Sequence, residues 1–595
     1  MAPSAAYTAA AADFSKQVQW LVEIDLDRCA EQYTQAPCTA ADAGDGARCF
    51  YSFQTCQDAA NYNKGTRTYR FHLNDVPWPD TATVAYPLLA KITQAPHRVS
   101  TSSFFSYPDK ITFKMLRDYA PPVPDHDKGG TAPNEFYNTT AVGEFWRNLF
   151  SRNRNYSGRA VRLLRGFNAS GFVLSDFEQV GPPYRLSKVK FTPGGCDITV
   201  ESPLAKLKDT EIPFSISEDN LSTKALNNSE LVITATDGAE FPDPADYTRN
   251  NIYVEIEDDT NGDEICLVSS ISTNNLTVVR GSFGTTAVAH AANVRLRHVC
   301  CFGTTAAAAV NSVDTLQDLM EWATVVSGDV DTTAFNALRD IYWPNDDVLR
   351  IVRTTRTVAR LMQEIRDSRG ILVYLDADAK WSASMIGPAA PVASYDDDSM
   401  RKVVVMEDDT ERRTRVAIWY DPVEDSAKEP ADFRKAIIVV DSDLETANNY
   451  GDVRERKIMD LWLAPSYAAA KIRNLARRII TRTAHGDRSI TFELEVKDGV
   501  RYVGDAVELQ TRELTDIYGT QLTVPGIIVS RREAGRGAMQ FTAADSNFSG
   551  RFFVWGPDTM TDAYDTATED DKRYGYWGDT NNRVGSSFLE GYRLL

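Results

Sequence analysis

Four of the eight cysteines in this chain fall in one short stretch, at Cys29, Cys38, Cys49 and Cys56. Eight, ten and six residues separate them, and the spacers carry Pro37, Gly44, Gly46 and several Asp, so the stretch predicts a loop excursion. Three chemistries could hold such a loop. Disulfides need an oxidising compartment, and the N-terminal MAPSAAYTAAAADFSKQ has neither a basic start nor a long apolar run, so no secretory signal is expected. Structural zinc usually takes its ligands in pairs two to four residues apart, and no such pair occurs here. An iron–sulfur cluster needs four thiolates but tolerates wide, unequal spacers, because a cubane is larger than one ion. The spacing therefore favours a cluster, then disulfides, then zinc. Four unrelated buried cysteines is the poorest reading, since half of the chain's cysteines crowd into under a twentieth of its length.

Apolar alternation flanks the loop on both sides, VQWLVEIDL before and TYRFHL after, which predicts two strands with the loop slung between them. At 595 residues the chain has room for roughly three to five domains. Its 26 Phe, 25 Tyr and 10 Trp, with many Thr and Val, point to an α+β chain that is predominantly β. A net charge of −19 argues against a surface built to grip phosphate backbones, and no sequence-specific nucleic-acid binding is expected. It fits a conduit along which DNA slides without sticking. No run of about eighteen apolar residues occurs, so no helical membrane span is expected.

Five units are predicted. The first, 1–218, is β-rich and carries the cysteine loop, with a short helix at 141–153. In 219–300, a small inserted β-module, Asn261-Gly262 and Asn274-Asn275 mark tight hairpins. Residues 301–485 mix helices and strands. There Val358, Leu361, Met362 and Ile365 form one helix face, with Asp346 and Asp347 at the helix start and Gly370 at its stop. A last β-rich unit spans 486–555, and 556–595 is a polar, aromatic arm suited to ordering against a neighbouring subunit.

Other candidate chemistries weaken on inspection. His126 lies between two Asp in PPVPDHDKGG, which reads as a solvated loop. Glu257, Asp259, Asn261 and Gly262 mimic half a calcium loop, but the position needing a bidentate Glu is Val268 and both flanks are strands. Asp376 and Asp378 read as a hairpin tip. The basic face of the helix expected at 466–484 reads as a solvated face that pairs within an acidic protein. Cys196, Cys266, Cys300 and Cys301 share no spacing and read as small buried hydrophobes. No H-E-x-x-H, G-x-S-x-G, P-loop or dinucleotide fingerprint is present.

The cysteine loop in its β-rich frame resembles the tail-tip or baseplate hub proteins of long-tailed, siphovirus-like phages and of gene transfer agents. Several of these hold a four-cysteine iron–sulfur cluster. A second likeness lies in LTVVRGSFGTTAVAHAANVRL, which resembles a small β-module of phage tail and baseplate proteins with an R-G-x-x-G-T-x-A-x-x-H run. Here that run is Arg280, Gly281, Gly284, Thr285, Ala287 and His290. His290 has no acid or nucleophile spaced to use it, so a local packing or hydrogen-bonding role beside the glycine corner is expected.

The resemblance implies a cluster of the 4Fe–4S type on Cys29, Cys38, Cys49 and Cys56. It also implies a homotrimer whose β-barrel-like domains form a pseudo-sixfold ring. Such a ring closes the tail tube between the distal tail protein and tape-measure protein on one side and a central fibre or receptor-binding protein on the other. The location implied is the virion tail tip, assembled in the host cytoplasm, with a structural rather than enzymatic role. The rival expectations are a virion-associated cell-wall hydrolase, an iron–sulfur redox protein, or a carbohydrate-binding module using the C-terminal aromatics.

Overall fold

In the computed structural model the chain is predominantly β, with strands gathered into several sheets and helices between them. The structure describes residues 4–13, 17–33, 35–40, 49–80, 82–94, 97–98, 110–117, 144–180, 183–202, 205–247, 252–303, 310–323, 325, 329–344, 346–376, 380–387, 389–446, 449–463, 469–483, 487–495, 497–498, 501–515, 518–535, 538–546, 576–577 and 592–593. His126, Asp378 and most of the arm expected at 556–595 lie outside them.

The two strands predicted around the cysteines are Val18–Cys29 and Lys64–Leu73, and they pair antiparallel from Leu21 opposite His72 to Cys29 opposite Lys64. They belong to a closed barrel. Round the wall run Val18–Cys29, Lys64–Leu73, Tyr86–Gln94, Lys110–Leu116, Gly195–Glu201, Tyr184–Thr192 and Ala160–Phe167, and the last pairs back onto the first. Val22, Phe71 and Leu163, all without exposure, stand opposite one another across three of these strands. Helix Glu144–Arg152, predicted from its apolar spacing, adds Phe145, Trp146, Leu149 and Phe150 to the same core. The Trp146 indole N–H donates to the Leu116 carbonyl at 2.6 Å, which ties the helix to the end of a wall strand.

Along Val18–Cys29 every second residue towards the loop is acidic. Glu23 meets Arg70 on one neighbouring strand and Arg162 on the other, at 2.7 and 2.8 Å. Asp25 meets Arg162 at 2.8 Å and Asp27 meets Lys64 at 3.4 Å. Pairs at such partly exposed sites contribute little each, but in one ladder they fix the register that carries Cys29 to the strand end.

The middle of the chain has one large core, from Leu207 to Ile480. A six-stranded sheet there runs Val232–Thr234, Asn275–Ser282, Glu264–Ser272, Ile252–Glu257, Arg295–Phe302 and Arg350–Val352. The expected helix start at Asp346 and Asp347 is corrected by this sheet. Asp347–Val348 and Arg350–Val352 are strands, and Cys300–Phe302 pairs with the latter. The helix is Val358–Arg369, capped by the Thr357 hydroxyl and ended by Gly370 at φ +72°. Asp346 instead lies buried beside the Arg369 guanidinium, which also donates to Asp460 at 3.0 Å. Sheet pairing outweighed helical spacing before residue 357.

Both expected hairpin turns also differ. Residues 258–263 link two strands as a longer loop, with positive φ at Gly262 and not at Asn261. In the turn between Ser272 and Asn275 the positive φ falls on Thr273.

The last β-rich unit is a six-strand path, Ala393–Tyr395, Ala506–Thr515, Gln521–Gly535, Ala538–Asp545, Asp487–Glu495 and Arg401–Asp408. Its two edge strands are joined directly by residues 396–400, and it curls round a core that includes Ile490, Phe492, Leu509 and Phe541. Two links dock it on the N-terminal barrel. His97–Arg98 pairs with Ser530 and Arg531, and fully buried Arg165 reaches Tyr7 Oη at 2.7 Å, Glu178 at 3.3 Å and Met539 Sδ at 3.4 Å. Among the described residues no helix is long and apolar enough to cross a membrane.

Candidate functional site

The cysteine loop folds back over the end of the barrel wall. The Cys29 N–H donates to the Tyr51 carbonyl at 2.6 Å and the Ala30 N–H to the Asn63 carbonyl at 2.8 Å, so the loop closes where the paired strands end. Asp58 ties the two arms, accepting from the Thr39 N–H at 2.6 Å and the Thr39 hydroxyl at 2.8 Å. Those bonds hold its carboxyl below the usual range, the Asn61 amide first among the causes. A single 3-10 turn, Phe53–Thr55, delivers Cys56.

This folding brings together all four cysteines named from the sequence. Cys29, Cys38, Cys49 and Cys56 line one pocket, with Tyr33 and Asp58 among its other walls. Cys49 is the buried one, and burial pushes its thiol up, opposed by an N–H bond from Tyr51 at 3.4 Å. Tyr51 takes φ +58° to make that bond, an uncommon conformation for a residue with a side chain. Two arginines pack on the loop's aromatic rings, Arg28 over Tyr51 at 4.2 Å and Arg152 of the barrel helix over Phe50 at 3.7 Å. Phe53, by contrast, is 59% exposed.

No disulfide joins any two of the eight cysteines. Among the described residues no group of three or more His, Cys, Asp or Glu side chains is placed to hold a single metal ion. The four thiols share the lining of one pocket, and the Tyr51 N–H is aimed at the Cys49 sulfur.

The second motif builds a different object. Glu264 is fully buried, and the R-G-x-x-G-T-x-A-x-x-H run wraps round it. Arg280 donates to both carboxylate oxygens at 2.6 Å, the Gly281 N–H at 2.9 Å and the Val288 N–H at 3.2 Å. His290 Nε2 lies 3.1 Å from Glu264 and Nδ1 lies 2.9 Å from Asp258. Gly281 and Gly284 supply the positive φ that turns the chain round the carboxylate, and Thr285 Oγ1 accepts the Ile265 N–H at 3.1 Å. Burial raises the Glu264 carboxyl, but the donors outweigh it and bring it to about 2. With His290 only 3% exposed and both ring nitrogens engaged, the run is a structural lock, as the local role expected for His290 required. Sequence reasoning missed Glu264 and Asp258, because a lone carboxylate at a strand end carries no spacing signal.

Cys266, Cys300 and Cys301 are buried as expected, as is Cys196 in the barrel. His298 Nε2 stands 3.9 Å from the Cys300 sulfur, which raises the question of a nucleophilic pair. Its Nδ1 accepts the Phe214 N–H at 3.0 Å, so a neutral ring carries its proton on Nε2 and cannot take one from the thiol. Asp376 accepts the Lys380 N–H at the hairpin between Ile371–Leu375 and Trp381–Met385, a turn contact. The helix observed over Ala469–Thr483 buries Ile472, Leu475, Ala476 and Ile480.

No family model and no curated protein matches the chain. Among solved structures it is similar to a tail protein from Neisseria meningitidis, at 9% identity over 77% of this chain and 91% of that one, with a TM-score of 0.35. A 43 kDa tail protein of prophage MuSo2 from Shewanella oneidensis shows 10% identity over 76% and 94%, with a TM-score of 0.35. A chain of the native gene transfer agent virion shows 14% identity over 49% and 68%, with a TM-score of 0.25. Likenesses at this level define no function.

Proposed function

We propose that this chain is a structural hub protein of a phage-type tail tip or baseplate, and not an enzyme. The observation that carries the reading is the four-thiol pocket at the end of a closed barrel docked on a second, curled sheet. Two such units per chain give six in a trimer, the number a pseudo-sixfold ring needs. In this reading three copies close the tail tube, joining the distal tail protein and tape-measure protein to a central fibre or receptor-binding protein. The acidic balance suits a wall past which DNA slides.

Cys29, Cys38, Cys49 and Cys56 are the residues that would hold an iron–sulfur cluster of the 4Fe–4S type. When bound, that group supplies four iron–thiolate bonds that cross-link the loop. Ordering each residue costs on the order of 1–2 kcal/mol, and a loop with Phe53 in solvent buries too little to offset this alone. The chain's own part is positional. Asp58 clamps Thr39, the Tyr51 N–H faces Cys49, and Arg152 pins Phe50 to the barrel helix. A reducing host cytoplasm, where tails assemble, keeps the thiols available.

Protein purified without oxygen should be brown and contain iron with acid-labile sulfide. Colourless protein with stoichiometric zinc, two disulfides, or hydrolysis of cell-wall substrate by the pure chain would contradict the reading.

A further inference from the structure

Two edge strands of the C-terminal half present outward apolar rows. Phe433–Val440 ends the three-stranded sheet it forms with Arg415–Pro422 and Glu455–Met459, and it exposes Ile438 at 57%. Arg401–Asp408 ends the C-terminal sheet path and exposes Val404 at 59% and Met406 at 58%. Their inward neighbours, Ile437 and Val439 in one strand and Val403 and Val405 in the other, pack on their respective cores. An unpaired edge with an apolar outer row is a template for another strand.

We infer that these two strands pair with each other between neighbouring copies of the chain. Antiparallel alignment with Ile438 opposite Val404 joins the two outer rows and, one residue on, the two inner rows. The same register sets Lys435 opposite Glu407 and Arg434 opposite Asp408. A parallel alignment of the two strands from their starts sets Arg434 against Lys402, like against like, and leaves Lys435 opposite Val403. Shifting the antiparallel register by two residues in either direction loses both charge matches. The irregular pairing between Arg401 and Val404, with Lys402 at φ +50°, ends the usable stretch on that side.

Arg434 and Lys435 already lie 3.3 and 3.4 Å from Asp421, and Glu407 lies 2.9 Å from Arg488. The Arg434, Lys435 and Glu407 side chains are themselves exposed, so an opposing strand can share them. Each copy offers Phe433–Val440 to one neighbour and Arg401–Asp408 to the other, a heterologous contact that closes into a ring. The inference rests on the ring proposed above, and it names the surface on which the ring closes.

Charge reversal tests it in the full chain by native mass measurement. Arg434→Glu with Lys435→Glu should weaken self-association at least about tenfold, and so should Glu407→Lys with Asp408→Lys. All four together should restore it, because each reversed strand then meets a reversed partner. If both double variants associate like the parent, this surface is wrong while the ring reading stands. A monomeric parent overturns both. Should a reversal impair folding, Val404→Cys with Ile438→Cys gives a second readout. The pair should produce disulfide-linked multimers that neither single variant forms, and their absence counts against the pairing.

Discussion

Glu264 shows how one buried carboxylate organises the chain around it. Six donor atoms converge on it, so Glu264→Gln removes the charge that pairs with Arg280, turns an amide against the donors, and should destabilise the fold by about 3–5 kcal/mol in chemical denaturation. An unchanged midpoint would contradict the lock. Because its folded carboxyl is brought down to about 2 from about 4.5, its contribution is complete above the unfolded value and is lost as pH falls towards the folded one. Stability of this region should therefore drop between pH 4.5 and 2, and the drop should be smaller in Glu264→Gln, where Asp258 still titrates against His290. The cysteines make a second residue-scale case. Cys49→Ser should bleach the protein and remove iron and sulfide, whereas Cys196→Ser, buried in the barrel core, should leave both. The four-cysteine set was legible because clustering survives in sequence. Glu264 was not, because all but one of its donors come from residues sixteen to twenty-six further on and only the fold assembles them.

Strands were the most legible elements, since alternation in AVRLLRGF or CDITVES is a local signal. The stretch before Val358 was misread because Arg350–Val352 is recruited by a strand some fifty residues earlier, a demand that helical spacing does not display. Turns carried the least signal, as Thr273 shows by taking the positive φ beside two asparagines better suited to it. One turn is unambiguous. Gly195 opens a wall strand at φ +142°, where an added Cβ would sit 1.9 Å from the Met115 carbonyl oxygen. Gly195→Ala should cost at least about 2 kcal/mol and lower the melting temperature, while Gly194→Ala, with open space around its Cβ, should cost far less. Equal effects would mean that the strand pairing at Leu116 is not tight there.

The whole molecule is where sequence reasoning reached least far. Barrel closure depends on Val18–Cys29 meeting Ala160–Phe167, and docking depends on Arg165 reaching Met539. Both are non-local pairings with no periodic trace. Composition gave the β-rich class and the acidic balance, and the clustered cysteines gave the candidate centre, but the closed barrel and the second, curled sheet came only from the strand order. In the proposed ring these two units per chain and three chains make six. Native mass measurement of anaerobically purified protein tests this most directly, because it reports assembly and cofactor at once. The expected result is three chains carrying the added mass of one iron–sulfur cluster each. A monomer without added mass, or a trimer carrying only zinc, would contradict it.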